Sequence, residues 1–315
     1  MLKYKNFALI KPDNNQCKKI NDVIIEHNGS IFHEVELNKI VQKNFGTELF
    51  YLVDNPENIN CLTPVHIAKN KFGAKRYNCN PLGDIPYAGF VGVEPIDLKE
   101  LKVGILESVK YAGFPYIEDN IHKPNLSSFG ETNMVDLSLG EDDIFNKMSS
   151  AKRRNIRKAL KNEIEVKHYF SLDGLQKFWP ILEQLHKAIG FSRFNYDYYK
   201  EFLEKYGKNK QAFILLAYKE NKPISGLFIL GNQNYMHYYK GATLFDSKQE
   251  GQSELLHWEA IKISKSLDVN YYDLCNLEKN KLPGIYRFKT GISPHIISYR
   301  KFTQNSLGYK LLNKI

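Results

Sequence analysis

Short apolar strands alternating with amphipathic helices predict an α/β protein in two successive units, each a twisted mixed β-sheet flanked by helices. The order of elements in the first half recurs in the second, which points to a duplicated αβ unit. At 315 residues the chain has room for two cores of ordinary domain size. Hydrophobic residues at 43% and charged residues at 25% exclude a disordered or membranous chain.

Phe7-Ala8-Leu9-Ile10 is an apolar run of strand length. Cys17 to His27 follows as a short helix ending at Asn28-Gly29, residues that accept the left-handed backbone closing a helix. Ser30-Ile31-Phe32-His33 leads into a helix through Leu37, Ile40 and Val41. Leu49-Phe50-Tyr51-Leu52-Val53 reads as a buried strand, Pro56, Asn58 and Asn60 mark a turn, and Leu62 to Ala68 resumes the sheet. The small residues of Pro86-Tyr87-Ala88-Gly89-Phe90-Val91-Gly92 predict backbone lying close to a ligand or another strand. Leu101, Ile105 and Val109 recur at helical spacing, so Leu98 to Ala112 reads as a helix. Pro115-Tyr116-Ile117-Glu118 and Asn133-Met134-Val135-Asp136-Leu137 read as strands.

The second half opens on the densest charge run, Ser149-Ser150-Ala151-Lys152-Arg153-Arg154-Asn155-Ile156-Arg157-Lys158-Ala159-Leu160-Lys161. Free of Gly and Pro, it predicts a helix that begins as early as Glu141-Asp142-Asp143, with acids at its start and bases at its end matching the macrodipole. Arg154, Arg157, Lys158 and Lys161 share one side, suited to a ligand carrying several phosphates or, equally, to a solvated face at a domain junction. Ile164 to Tyr169 alternates as a strand, and Leu172 to Ala188 is a long amphipathic helix ending at Gly190. Phe191 to Tyr199 reads as an aromatic loop. Ala212 to Tyr218 and Ile224 to Leu230 form a hairpin around Lys219-Glu220-Asn221-Lys222-Pro223. Tyr235 to Lys240, the helix Ser253 to Leu267 and Asn270 to Leu274 follow. Gly284-Ile285-Tyr286-Arg287-Phe288-Lys289-Thr290-Gly291 has a strand-like alternation ending at a glycine, with Lys289 beside the turn. Ile296 to Tyr299 and a short helix from Ser306 close the chain.

The formal net charge of +9 favours an anionic partner. Cys17, Cys61, Cys79 and Cys275 lack the spacing of a zinc site or a disulfide framework, which indicates a reducing compartment. No apolar run has the length of a membrane span and Met1 to Lys5 lacks a signal-peptide core, so the expected location is cytoplasmic. The nine histidines form no HExxH, and neither GxSxG nor a P-loop occurs; no metal is expected. Gln249-Glu250-Gly251-Gln252 precedes a helix and could seat a phosphate at its N-terminus.

Five segments in order resemble the FemAB family, the Fem-type aminoacyltransferases that extend peptidoglycan side chains. They are Ser149 to Ala159, Tyr239-Lys240-Gly241-Ala242, Ser253 to Ile261, Tyr272-Asp273-Leu274 and Phe288-Lys289. Leu37 to Val53 resembles the family's first helix-strand unit more loosely. Departures are Cys275-Asn276, where the family often has two glycines, and Gly291-Ile292-Ser293, where a glycine pair is common. The helical-arm insertion of longer members is absent.

The resemblance implies two GNAT-like (acyl-CoA N-acyltransferase-like) domains, 1–138 and 139–302, with 303–315 packing back on the first. It implies transfer of an aminoacyl group from aminoacyl-tRNA, as co-substrate with no bound cofactor, to an amine of a phosphate-bearing peptidoglycan or cell-envelope precursor, with peripheral contact at the inner membrane face. Lys289 would be catalytic, near the acyl ester and the tRNA end, with Phe288 beside it. Lys39 and Arg193 would bind precursor phosphates, Arg154, Arg157 and Lys158 would serve substrate binding, and Tyr198 and Tyr239 would line the acceptor site. The rivals are an acyl-CoA-dependent N-acyltransferase acting on an amino sugar of a surface glycan, and a non-catalytic RNA-binding module stacking bases on Tyr196, Tyr198 and Tyr199. The loop at Gln249 lacks the double-glycine turn that GNAT proteins put around a CoA pyrophosphate, which leans toward the tRNA donor.

Overall fold

The computed structural model describes residues 2–79, 85–92, 100–114, 129–190, 195–247 and 250–312. The chain divides into two compact units, residues 1–130 with 297–315, and residues 131–296.

Unit 1 begins with β1 (Lys3–Tyr4), β2 (Ala8–Ile10) and α1 (Asn14–Glu26). Asp13 caps α1 by accepting from the Gln16 amide while the Gln16 side chain accepts from the Asp13 amide, and Ile20, Val23 and Ile24 form its buried face. A 3-10 turn (Ile31–His33) leads into α2 (Val35–Phe45), which stops at Gly46 in the left-handed conformation. The chain continues with β3 (Glu48–Val53), β4 (Cys61–Lys69), β5 (Lys75–Asn78), β6 (Val91–Gly92), β7 (Leu101–Lys102) and β8 (Glu107–Ala112). β2, β3, β4 and β5 are successive antiparallel neighbours, β8 runs parallel to β5, β6 pairs with β4, and β1 pairs with β7 apart from this sheet. The small-residue stretch is explained by close backbone approach: a Cβ on Gly92 would lie 2.1 Å from the Asn60 carbonyl oxygen, and one on Gly89 would lie 2.6 Å from the Gly113 Cα.

The helix expected over 98–112 does not form, since 101–102 and 107–112 are strands. Val109 and Tyr111, two residues apart, point into the core with Leu101, whereas Ile105 is 83% exposed. The operative period is two, and Val103-Gly104 breaks the helical pattern. The strand expected at Pro115 to Glu118 lies outside the described residues.

Unit 2 contains β9 (Phe129–Asp136), α3 (Glu141–Lys147), α4 (Ser150–Lys161), β10 (Glu165–Tyr169), α5 (Leu172–Ala188), α6 (Tyr196–Tyr206), β11 (Ala212–Lys219), β12 (Lys222–Gly231), β13 (Tyr235–Thr243), α7 (Gln252–Ser266), β14 (Tyr271–Asp273) and α8 (Pro283–Ile292). Its strand order is β10-β11-β12-β13-β14-β9, antiparallel throughout except for the parallel pair β13 and β14. The chain then returns to unit 1 as β15 (Ile296–Asn305), antiparallel to β8, and α9 (Leu307–Leu312). Both units therefore run strand, two helices, three antiparallel strands, then one parallel neighbour.

One face of the second sheet carries Leu215, Leu227, Ile229 and Met236, packed with Ile156 and Ala159 of α4 and Leu255, Leu256 and Ala260 of α7. Three local expectations change. The helix from Glu141 is two helices, because Met148 is extended and Ser149 caps α4 by accepting from the Lys152 amide. The aromatic loop becomes α6 from Tyr196, capped by Asn195. Phe288-Lys289 sits on a helix, α8, with Pro283 in its first turn, rather than at a strand end.

Candidate active site

After β14 the backbone enters the left-handed region at two residues with side chains, Cys275 (φ 55°) and Asn276 (φ 31°). The Lys289 ammonium, on α8, donates to the carbonyl oxygens of both, at 2.6 and 3.1 Å. It also lies 5.3 Å from the centroid of the Tyr238 ring. α8 is held at this point by Asn133, whose amide donates to the carbonyls of Lys289 and Ser293, 2.8 Å each. Burial pulls the Lys289 pKa below its ordinary value, opposed by Cys275 and Asp273, while nearby Lys240 lowers it further.

Asp273 is fully buried and pushed up to about 7 by desolvation, opposed by the Cys275 backbone N–H and by Lys289. Its Oδ1 accepts from the Thr132 hydroxyl (2.5 Å) and the Cys275 amide (2.8 Å), and its Oδ2 lies 3.0 Å from His237 Nδ1. The Cys275 thiol is pushed up by burial and by Asp273. His237 Nδ1, an Asp273 oxygen and Cys275 Sγ fall within 4.8 Å of one another, donor chemistry that a transition metal accepts. Here, however, the same imidazole nitrogen faces Asp273 and, at 3.9 Å, the thiol. A histidine relaying a proton needs its two nitrogens on different partners, so this is not a Cys-His-Asp nucleophile. It is a hydrogen-bonded cluster whose positive charge is the adjacent lysine.

On the other side of Tyr238 lies His257, with centroids 4.5 Å apart in an edge-on contact. His257 Nδ1 is 2.8 Å from the Tyr272 hydroxyl, and burial pushes its pKa down to about 3, with Lys289 and Lys152 adding to the effect. The Lys152 ammonium lies 3.8 Å from the Phe288 centroid and pairs with Glu254 at 2.9 Å. The Asn155 amide donates to the same Glu254 oxygen, and the Ser149 amide donates to the Gly291 carbonyl. The start of α4, the start of α7 and the end of α8 thus meet in one joint.

The N-terminus of α7 is closed at that joint. Gly251 (φ 87°) lies against α4, where a Cβ would be 2.0 Å from the Asn155 carbonyl oxygen. Glu250, paired with Lys219 at 2.6 Å, and Glu254 place two carboxylates at the helix start. A helix N-terminus attracts phosphate through free N–H groups and positive potential, and the carboxylates oppose that potential here.

Lys289 and Phe288 fall within this site. Arg154, Arg157 and Lys158 are exposed along α4, as is Lys161, with the Arg157 guanidinium 5.4 Å from the Phe145 ring centroid. Leu160 is exposed as well. Tyr198 and Tyr239 meet each other, hydroxyl to hydroxyl at 3.0 Å, but not Lys289. Tyr239 packs on Tyr199, Phe202 and Phe228, whereas its neighbour Tyr238 faces α7 and Lys289, as alternation along a strand requires. Lys39 is on α2 in unit 1, paired with Glu36 at 2.7 Å, and Arg193 lies outside the described residues. Sequence reasoning missed Lys152, Tyr238, His257 and Asn133. Lys152 was recoverable, because it shares the helical stripe of Ile156 and Ala159 instead of that of Arg154.

A repeated sheet with one parallel pair per unit is a GNAT-like α/β architecture. Residues 132–222, a segment of unit 2, match the model of the FemAB family. The fold is similar to the crystal structure of FemX, with a TM-score of 0.66 at 11% identity, covering 98% of this chain and 99% of that one. It is also similar to L-PGS from Bacillus licheniformis (TM-score 0.55, 15% identity, 94% of this chain and 93% of that one). A conserved protein of unknown function from Bacteroides thetaiotaomicron has the same fold (TM-score 0.55, 12% identity, 96% and 99%). A search of curated proteins found no match.

Proposed function

We propose that the protein is an aminoacyltransferase that moves an amino acid from aminoacyl-tRNA to an amine of a phosphate-bearing cell-envelope precursor. The observation that carries this reading is the buried Lys289 ammonium, fixed by two carbonyls in a unit whose residues 132–222 match the FemAB family model. The C-terminal domain of a putative lysylphosphatidylglycerol synthetase from Agrobacterium fabrum, an enzyme named for a product that joins an amino acid to a phospholipid, has a similar fold. Attack of an amine on the ester carbonyl forms a tetrahedral oxyanion, which a fixed cation in a water-poor site stabilises. Two of the three ammonium N–H groups are engaged by Cys275 and Asn276, leaving one for the oxyanion.

The donor assignment rests on the closed N-terminus of α7. Asn155 fills the approach and two carboxylates flank it, which disfavours a CoA pyrophosphate in this unit. The exposed cations of α4 suit the phosphates of tRNA or of the precursor. The RNA-binding rival loses support because Tyr198 and Tyr199 are buried on α6. The test offers the purified chain radiolabelled aminoacyl-tRNA and, separately, acetyl-CoA. Label should pass from tRNA to an envelope precursor, and CoA should leave the melting temperature unchanged. A ligand at a hundred times its Kd stabilises by about 2.7 kcal/mol, enough to detect. A clear CoA shift, or transfer from CoA alone, would replace this reading with the glycan N-acyltransferase.

A further inference from the structure

Unit 1 carries an apolar surface that the transfer chemistry does not use. The turn between β7 and β8 exposes Ile105 by 83% and Leu106 by 43%, and α9 exposes Leu307 by 76% and Leu311 by 58%. These side chains belong to one surface. The Ser306 hydroxyl donates to the Ile105 carbonyl, and a Cβ on Gly308 would sit 2.7 Å from both that oxygen and a Leu106 methyl. The Leu106 carbonyl accepts from the Lys75 amide at 3.1 Å, which brings the β4–β5 hairpin alongside, with Phe72 exposed at its tip. Single exposed leucines are ordinary, but five large apolar side chains on three adjoining elements form a patch.

The turn is braced in this shape. The buried Glu107 carboxylate accepts from the Gly104 amide (2.8 Å) and the Tyr77 hydroxyl (2.9 Å), so the turn that presents Ile105 and Leu106 is tied to the sheet. The surrounding charge is positive. Lys71 stands 4.9 Å from the Phe72 centroid, and Lys310 lies between Leu307 and Leu311 in α9. Lys75 follows the hairpin; of the acids nearby, exposed Glu48 is paired with Lys69 at 2.6 Å and close to Lys75, and Glu107 of the turn is buried and bonded. Apolar tips on a turn, a hairpin and a single short helix project from the surface and ask for a deformable layer more than a shaped pocket. With lysines among them they complement a bilayer interface, apolar tips entering the acyl boundary and ammonium groups reaching phosphates.

We propose that this surface docks the protein on an anionic phospholipid bilayer. The inference is independent of the donor and of the transfer reaction, and its test reads binding alone. The whole chain is sedimented with phosphatidylglycerol vesicles and with phosphatidylcholine vesicles. Binding to the anionic vesicles should exceed that to the neutral ones and weaken with salt. The double variant Ile105→Ser with Leu307→Ser should keep the wild-type melting temperature, because both residues are exposed. It should lower partitioning onto phosphatidylglycerol about ten-fold or more, the effect of withdrawing two aliphatic side chains from an apolar layer. Lys71→Glu with Lys310→Glu should weaken the anionic binding and leave the neutral binding unchanged. Wild-type sedimentation of the serine variant at unchanged stability would overturn the proposal. So would a wild-type dimer that the serine variant converts to monomer without any change in vesicle binding, since the patch would then join two copies of the chain.

Discussion

Lys289 is an ammonium held in the protein by two carbonyls and one aromatic ring, at a depth where an unpaired cation is strongly disfavoured. Replacing it with Met keeps the stem and removes the charge. If it stabilises the oxyanion, kcat should fall roughly a hundred- to thousand-fold, or about 2.7–4 kcal/mol, with KM little changed. Arg should rescue poorly, because its planar fork cannot reproduce the bonds of a compact ammonium to two converging carbonyls. Lys281→Met is the control: Lys281 is exposed and paired with Glu278 across the turn before α8, so turnover should hold. Wild-type turnover in a folded Lys289→Met protein would remove the catalytic role. The residue was legible in the sequence but its element was not. Ile285 to Lys289 alternates like a strand, and the decisive mark was Pro283, a residue suited to a helix's first turn. The departure at Cys275-Asn276 now has a geometric counterpart, since both residues hold the positive φ that glycines would adopt freely.

At the scale of elements, the joint of α4, α7 and α8 makes two glycines behave oppositely. Gly251→Ala puts an L-residue at φ 87° and a methyl 2.0 Å from backbone oxygen. The backbone term alone costs about 1–2 kcal/mol, and the clash adds to it. Gly284, exposed in the first turn of α8, meets nothing within 4 Å. Alanine there should be neutral or stabilise by up to about 1 kcal/mol. Equal thermal shifts in the two variants would mean that α7 does not lean on α4. On the outer face of α4, Arg154→Glu with Lys158→Glu should leave the melting temperature nearly unchanged, because both side chains are solvated. The same change should weaken tRNA or precursor binding and flatten its salt dependence, as titration at two salt concentrations would read. Unchanged affinity with lost stability would make α4 a strut. The basic helix was legible because composition alone specifies it. The break at Met148-Ser149 and the strands of 101–112 were not, since a serine cap and a two-residue period emerge only when the neighbouring strands are in place.

For the molecule as a whole, the buried titratable groups predict which unit yields first to acid. In unit 1, desolvation pushes His33 down to about 4 and His66 down to about 3. Both are neutral in the folded state, bonded to the Ala88 carbonyl and to Asn38 respectively. Unfolded, each would bind a proton below about 6.5. Between about pH 6.5 and 4 the unfolded state of unit 1 therefore holds two more protons than the folded state, and stability falls as pH falls. The slope approaches about 2.7 kcal/mol per pH unit, twice the single-proton value. Unit 2 has one such histidine, His257, at about 3, but also Asp273, raised to about 7. In the same window folded Asp273 keeps a proton that the unfolded chain has released, so acid favours the fold through Asp273 and opposes it through His257. The two offset. Amide hydrogen exchange corrected for intrinsic rates, compared at about pH 7.5 and pH 5, should show protection lost first in β3, β4 and α2 and retained in β11 to β13. Loss of protection in unit 2 before unit 1 would contradict this balance.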